Sequence, residues 1–296
     1  MVDMKGKTVI VTGAGSGIGL ATADELARAG ASLILVELDP QRGIEAIAQL
    51  ENYGPRPRLL LADLSVQVNV RRVAADILAS TPKIDVLINN AGSWFNERRV
   101  TADGLEHTFA LNHMAYFLLT HLLLDRIKES APARIISVTS DGHAHATLDF
   151  DDLQSEKDYS GRDAYCRSKL ANILFTRCLA RRLQGTGVTA NCLHPGRILT
   201  RFLTNVDDAP PEGESRETFW QRQGYLPPAD GAKTPVYLAS SPDVEHVNGG
   251  YFIDCRVSEP SEWARDDAAG ERLWKASLRF SGLAPDSTVK GPSCSG

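Results

Sequence analysis

A short apolar run, Lys7-Thr-Val-Ile-Val-Thr12, gives way to Gly13-Ala-Gly-Ser16-Gly17-Ile18-Gly19 and then to helical spacing from Leu20 to Ala29. No other stretch restricts the fold of this chain as much. The β-branched run reads as a parallel strand covered on both faces. The glycines read as a tight turn into a helix, where bare backbone N–H groups can approach a pyrophosphate at the helix N-terminus. The spacing is Gly-x-x-x-Gly-x-Gly through Gly13, Gly17 and Gly19; Ile18 stands where Gly-x-Gly-x-x-Gly would have its third glycine. A ligand-free turn is the plain alternative, but strand before and helix after favour a dinucleotide.

The same alternation continues. Strands are expected at Ser32–Leu38, Arg58–Ala62, Ile84–Ile88, Arg134–Ser140, Val188–Leu193 and Gly250–Asp254. Helices are expected at Pro40–Asn52, Val66–Ser80, Gly104–Glu129, Ala164–Leu183, Gly231–Ser240 and Leu273–Phe280. Regular alternation of this kind indicates an α/β fold, a doubly wound parallel sheet with helices on both faces. Ligands of such sheets sit beyond the carboxyl ends of the strands. The glycine turn, Asp63 and Asn89 to Gly92 therefore meet on one edge. Glu37 ends the second strand 18 residues after Gly19, where a carboxylate can accept hydrogen bonds from the adenosine ribose hydroxyls. An exposed strand-end carboxylate is the bland reading.

Three further features carry polar chemistry. Asn112 falls among the apolar positions of its helix, and an amide there must find partners. Ser140 ends the fifth strand; Thr139 could share its role only by pointing toward the site. Tyr165 and Lys169 are four residues apart, one above the other on a helix. A nearby ammonium favours the phenolate and lowers the tyrosine pKa, which suits exchange of a proton with an alcohol. Alone, Tyr-x-x-x-Lys is also what an ordinary amphipathic helix carries.

Composition sets outer limits. Net charge of −5 offers no basic surplus for nucleic acid or an anionic membrane. Five cysteines without a Cys-x-x-Cys pair suggest reduced thiols and a cytoplasmic setting. The first residues run straight into a strand, and no run of 18 apolar residues exists, so neither signal peptide nor membrane span is expected. One domain is expected over residues 1–284, with a tail at 285–296. The acidic, proline-bearing stretch 200–228 is expected to act as a substrate lid within it.

In combination and order, Thr12-Gly-x-x-x-Gly-Ile-Gly19, Asn89-Asn-Ala-Gly92, Asn112, Ser140, Tyr165-x-x-x-Lys169 and Pro195-Gly196 resemble the short-chain dehydrogenase/reductase family over about residues 5–254. Ala164-Tyr-Cys-x-Ser-Lys-Leu-Ala-Asn-Ile-Leu-Phe175, the long gap from Ser140 to Tyr165 and the extension around Trp274 are similar to its retinol-dehydrogenase-like branch. The resemblance implies a Rossmann fold with seven parallel strands and a nicotinamide cofactor. It would be held by Gly13, Ser16, Gly17, Ile18, Gly19, Glu37, Leu38, Asp63, Leu64, Asn90, Ala91 and Gly92, then by Tyr165, Lys169, Pro195, Gly196, Ile198 and Thr200. It also implies that Tyr165 exchanges the proton and Ser140 holds the substrate oxygen. Lys169 would lower the Tyr165 pKa and bind the ribose, while Asn112 would hold a water linking Lys169 to solvent. The branch often carries Arg at the end of strand two for the NADP phosphate. Here the segment is Val36-Glu37-Leu38 with no basic residue placed to compensate, the nearest candidate, Arg42, lying a helical turn further on, so NAD is expected over NADP.

The expected activity is interconversion of an alcohol and a ketone or aldehyde on a lipophilic small molecule. Trp94, Phe95, His143, His145, Phe150, Tyr159, Phe202, Phe219 and Trp220 lie on loops expected near the edge. Of these, Trp94, His143, His145, Tyr159, Phe202 and Trp220 are the substrate candidates. His143-x-His145 lacks a third ligand at metal spacing, so no metal is expected. The alternatives are epimerisation with tightly held NAD, and a redox-silent dinucleotide-binding module. A homodimer or homotetramer is expected to pair through the Tyr-Lys helix and the Gly104–Glu129 helix, as often happens in the family.

Overall fold

The apolar runs pair as seven parallel strands: β1 (Thr8–Thr12), β2 (Ser32–Glu37), β3 (Arg58–Leu61), β4 (Val86–Asn89), β5 (Ala133–Val138), β6 (Val188–His194) and β7 (Tyr251–Ile253). The computed structural model describes residues 2–200 and 214–284. An eighth strand, β8 (Arg256–Ser258), folds back antiparallel on β7, so the sheet order is β3-β2-β1-β4-β5-β6-β7-β8. The expected seven parallel strands are present, and the eighth corrects the count. Asp254 and Cys255 turn that hairpin at φ of 48° and 61°. Neither is glycine, and three residues of β8 with two exposed give no alternating pattern to read.

Alternation within each strand assigns its side chains to opposite layers. Val9, Val11, Leu33 and Leu35 pack with α1 (Gly17–Arg28), α2 (Pro40–Leu50) and α8 (Pro228–Ser240). Ile10, Ile34 and Val36 face α3 (Gln67–Ser80), α5 (Ala115–Glu129), α6 (Gly161–Arg182) and α9 (Asp267–Phe280). The sheet is thus covered on both sides. The strand order reverses between β1 and β4, and this is the switch point beyond which such sheets hold ligands.

Two elements differ from expectation in ways that bear on the site. The helix expected from Gly104 begins instead as a single turn, α4 (His107–Phe109), which Glu106 caps by accepting from the N–H groups of Thr108 and Phe109, both at 2.7 Å. It passes through a π-helical turn, Ala110–Met114, before α5. Such insertions recur at functional positions, and Asn112 sits inside this one. At the other end of the chain α9 starts six residues earlier than Leu273, because Asp266 caps it by accepting from Ala269 N at 2.9 Å. Its buried side packs Trp274 onto Phe175 and Phe117, with ring centroids 5.9 and 5.1 Å apart. Arg181 and Arg182 of α6 pair with Glu271. One side of α6 is therefore covered by the chain's own α9. Among the described residues no helix is long and apolar enough to cross a membrane.

Candidate active site

One cavity of about 880 Å³ runs along the carboxyl edge, from the α1 turn past the switch point to the start of α6. Its far end is built by the glycines. Gly13 and Gly17 hold φ of 65° and 55°. A Cβ on Gly19 would lie 2.1 Å from the Gly13 carbonyl oxygen, so turn and helix close only around hydrogen there. Ser16 begins α1 without a side-chain cap, and no acidic residue occupies the first turn. The N–H groups of that turn, with their partial positive charge, face the cavity and suit a pyrophosphate. Thr12 and Asn90 stitch the switch point. Thr12 Oγ1 accepts from Asn90 N and Ala91 N at 2.9 and 3.0 Å, and Asn90 Nδ2 donates to Thr12 O at 2.8 Å.

Glu37 is buried at the end of β2 and lines the cavity with Leu38, Asp63 and Leu64. Its oxygens accept separately, Oε2 from Gly15 N at 2.8 Å and Oε1 from Asp39 N at 3.1 Å. The carboxylate is thus fixed before any ligand contact. Arg42 lines the same end and is paired with Asp39 at 2.8 Å. The expectation that no basic residue is placed there is corrected: Arg42, a helical turn further on, lines the same cavity as Glu37. The remaining residues expected around a cofactor, Ile18, Gly92, Pro195, Gly196, Ile198 and Thr200, also line the cavity. The stretch after Pro195 is held in place by Leu226, which accepts from Leu199 N and donates to Arg197 O, both at 2.8 Å. The lining fits a dinucleotide along its length.

At the near end Ser140, Tyr165 and Lys169 come together. Thr139 donates its hydroxyl to Leu193 O at 2.9 Å and points into the sheet, which leaves Ser140 as the strand-end hydroxyl in the cavity. Burial pushes the Tyr165 phenol above its ordinary range, with the Ser140 hydroxyl bond pulling the other way. Burial likewise pushes Lys169 down, to about 7. Lys169 donates to Val138 O at 3.2 Å and lies 5.5 Å from the Tyr165 ring centroid. The expected lowering of Tyr165 by Lys169 is therefore corrected. Burial is the leading cause of the shift at both groups, although Tyr165 is only half-buried and lines the cavity.

Asn112 finds the partners that its place among apolar positions requires. Its Oδ1 accepts from Ser93 N at 2.9 Å, and its Nδ2 donates to Ser93 O and Ser168 Oγ at 2.9 and 3.0 Å. Its backbone carbonyl accepts from Asn172 Nδ2 at 2.8 Å. The role shown is to tie the 89–93 loop to α6 on either side of Lys169. Behind it, His113 lies 3.4 Å from Asn172 Oδ1 and 2.9 Å from Ser277 Oγ of α9. Burial keeps His113 neutral, near a pKa of about 4. With Nδ1 protonated, His113 donates to Asn172 Oδ1, and its Nε2 competes with Leu273 O, 2.9 Å from Ser277 Oγ, for the single Ser277 hydroxyl proton. Asn172 and His113 were missed in the sequence because each falls on a helical face that reads as core.

The substrate candidates divide. Trp94 lines the cavity and stacks on Tyr165, centroids 5.7 Å apart; Phe95 and the exposed His145 line it too. His143 does not line it: Nδ1 donates to Ser140 O at 2.7 Å and Nε2 accepts from Ser261 N at 3.1 Å, which fixes the backbone beneath Ser140. Tyr159 turns its hydroxyl to Phe95 O at 2.8 Å and supports the wall from outside. Trp220, on α7 (Arg216–Arg222), is buried and packs edge-on against Tyr225, 4.9 Å between centroids; Tyr225 is the residue that reaches the cavity. Contacts expected of His143, Tyr159 and Trp220 are thus one layer removed, since each spends its polar or aromatic surface on a neighbour. Phe202, and residues 201 to 213 of the lid expected over 200–228, lie outside the described residues. Asp141, Arg162 and His194 line the cavity without having been singled out.

Comparison with known proteins agrees with this geometry. The family profile described as short chain dehydrogenase matches residues 7–211. Human retinol dehydrogenase 14 is 43% identical, over 95% of this chain and 88% of its own length. Human retinol dehydrogenase 11 is 40% identical, over 96% and 89%. Among solved structures, an uncharacterized protein from Mycobacterium paratuberculosis superposes with a TM-score of 0.76 at 30% identity, over 95% of this chain and 96% of that one. A short chain dehydrogenase from Burkholderia cenocepacia, solved in complex with NADP, has a TM-score of 0.68 at 25% identity, over 88% and 99%.

Proposed function

The chain belongs to the short-chain dehydrogenase/reductase family of oxidoreductases, and from that premise we propose that it interconverts an alcohol and a ketone or aldehyde on a largely apolar small molecule, with NAD preferred. The observation that carries the reading is the meeting of Ser140, Tyr165 and Lys169 at one end of a cavity whose other end is the uncapped α1 turn.

A nicotinamide, when bound, supplies a hydride to the carbonyl carbon or takes one from the carbinol. The residues of the chain do the rest. Gly13 to Gly19, Glu37 and the segment from Pro195 to Thr200 hold the dinucleotide. Ser140 donates to the carbonyl oxygen and stabilises the charge that develops there. Tyr165, kept protonated by burial, gives that oxygen its phenolic proton in reduction. In oxidation the phenolate takes the proton back. Lys169 faces the ribose side. Trp94, Phe95 and Leu111 supply apolar wall, and the names of the retinol dehydrogenase relatives support a lipophilic substrate.

The NAD preference rests on Glu37, whose fixed carboxylate would face the extra phosphate of NADP with like charge. Arg42 acts in the opposite sense but is already engaged by Asp39. The Burkholderia neighbour was solved in complex with NADP, which makes this a point for direct test. The experiment for the reaction is nicotinamide absorbance at 340 nm with a panel of lipophilic alcohols and carbonyls, for the native chain and Tyr165→Phe. Turnover by the native chain and a loss of at least roughly 100-fold in the variant are expected. Undiminished turnover by Tyr165→Phe would reject the mechanism.

A further inference from the structure

Asp141 follows Ser140 directly, lines the catalytic cavity, and has 60% of its side chain exposed. Its Oδ1 accepts the Ser140 hydroxyl at 3.0 Å. Its backbone N–H donates to His194 Nδ1 at 3.1 Å, which leaves the proton of a neutral His194 on Nε2, 4.0 Å from Asp141 Oδ2. Burial holds His194 below its ordinary range. Among the described residues no lysine or arginine forms an ion pair with Asp141. The carboxylate is therefore an acceptor with one short partner, and that partner is the hydroxyl needed at the substrate oxygen.

A serine hydroxyl has a single proton to donate. While Ser140 gives it to Asp141 it cannot give it to a carbonyl, and when it turns to the carbonyl the exposed Asp141 Oδ1 exchanges that donor for water, which a bound substrate would displace. Arg162 and His145 line the same cavity, but among the described residues no hydrogen bond or ion pair joins either to Asp141. A plain hydrocarbon beside the reacting carbon would leave a carboxylate pressed against apolar surface, which is costly. A donor on the substrate itself removes that cost. Building on the reading of this cavity as an alcohol–carbonyl site, we infer that the substrate carries a hydroxyl or amino group on the carbon next to the reacting one, and that Asp141 receives it. Ser140 and Asp141 then grip two neighbouring substrate atoms, and the rest of the molecule lies on the apolar wall. Sites built to bond a hydroxyl discriminate strongly against the analogue lacking it, because their polar group is left unpaired.

The test compares 2-hydroxyacetophenone with acetophenone, for the native chain and for Asp141→Ala and Asp141→Asn. It reads kcat/KM with NADH and with NADPH, and binding by titration calorimetry in the presence of the oxidised cofactor. The native chain is expected to prefer the hydroxyketone by roughly 10- to 100-fold, and the ratio is expected to fall toward unity in Asp141→Ala. Asp141→Asn, which keeps one acceptor oxygen without the charge, is expected between the two. A native ratio near unity, or a ratio that survives in Asp141→Ala, overturns the inference. A parallel loss for both ketones does the same, since it would make Asp141 only a partner of Ser140. If neither ketone is turned over, the calorimetric ratio still decides the Asp141 assignment, while the missing turnover counts against the alcohol–carbonyl reading.

Discussion

Replacing Glu37 by Gln is the sharpest perturbation of cofactor choice, because the two carboxylate oxygens are held by two different N–H donors. Gly15 N and Asp39 N approach Oε2 and Oε1 at 2.8 and 3.1 Å. A glutamine amide offers one acceptor and one donor end, so one N–H must face an NH₂ group. The variant loses the charge, one of these bonds and the strongest acceptor for the ribose hydroxyls. A hydrogen bond to a charged group is worth about 1.5–3 kcal/mol, which corresponds to roughly 10- to 100-fold in kcat/KM with NAD. With NADP the change has the opposite sign. A phosphate charge brought within about 4 Å of the carboxylate costs up to about 4 kcal/mol at an effective dielectric of about 20, and Gln removes that repulsion. Arg42 offsets part of it if it turns from Asp39 to the phosphate, so Arg42→Ala is expected to widen the NAD preference while Glu37→Gln narrows it. The assay is kcat/KM for both cofactors on one substrate, for the native chain and the two variants. A native chain that uses NADP as well as NAD, or a Glu37→Gln variant with an unchanged ratio, would refute the argument.

Other consequences are equally direct. Because burial raises the Tyr165 pKa, the phenol stays protonated through neutral pH. Reduction is expected to hold level there and fall only in alkali, while oxidation rises with pH; an oxidation rate that falls between pH 7 and 9 would contradict this. Asn172→Leu leaves the Asn112 carbonyl without its 2.8 Å partner and is expected to cost about 1–3 kcal/mol of stability. Through the displaced Lys169 it should also lower kcat more than the KM for substrate, and an intact kcat would show that Asn112 holds its place without it. Trp274→Ala opens a cavity between α9 and α6 and is expected to cost about 3–5 kcal/mol in a urea titration. If α9 keeps the α6 face covered, the native chain shows no self-association through that face in light scattering, and Trp274→Ala is the variant in which it would appear.

The alternation of strand and helix, the glycine turn and the order of the polar signatures were all legible in the chain, because each rests on local rules. Period-two burial, a turn that only glycine permits, and residues four apart on a helix need no knowledge of distant neighbours. Those rules also carried Ser140, Tyr165, Lys169, Glu37 and the 89–92 loop to one edge. What they could not supply is how much water each group keeps and which partner it meets. Only the packed structure shows that burial raises the Tyr165 pKa and lowers that of Lys169, since desolvation is set by every atom around the pair. Arg42 and Glu37 are five residues apart in sequence, yet whether Arg42 reaches the adenosine end depends on how α2 leaves β2 and on Asp39 holding it. His143, Tyr159 and Trp220 have the chemistry of substrate contacts, but tertiary neighbours claim that chemistry first. Asp141 and Asn172 acquire their meaning only from contacts 53 and 60 residues away, with His194 and Asn112. Local sequence fixes which groups are presented; the fold decides which remain available, because hydrogen-bond capacity and hydration are finite and are shared among groups that meet only in three dimensions.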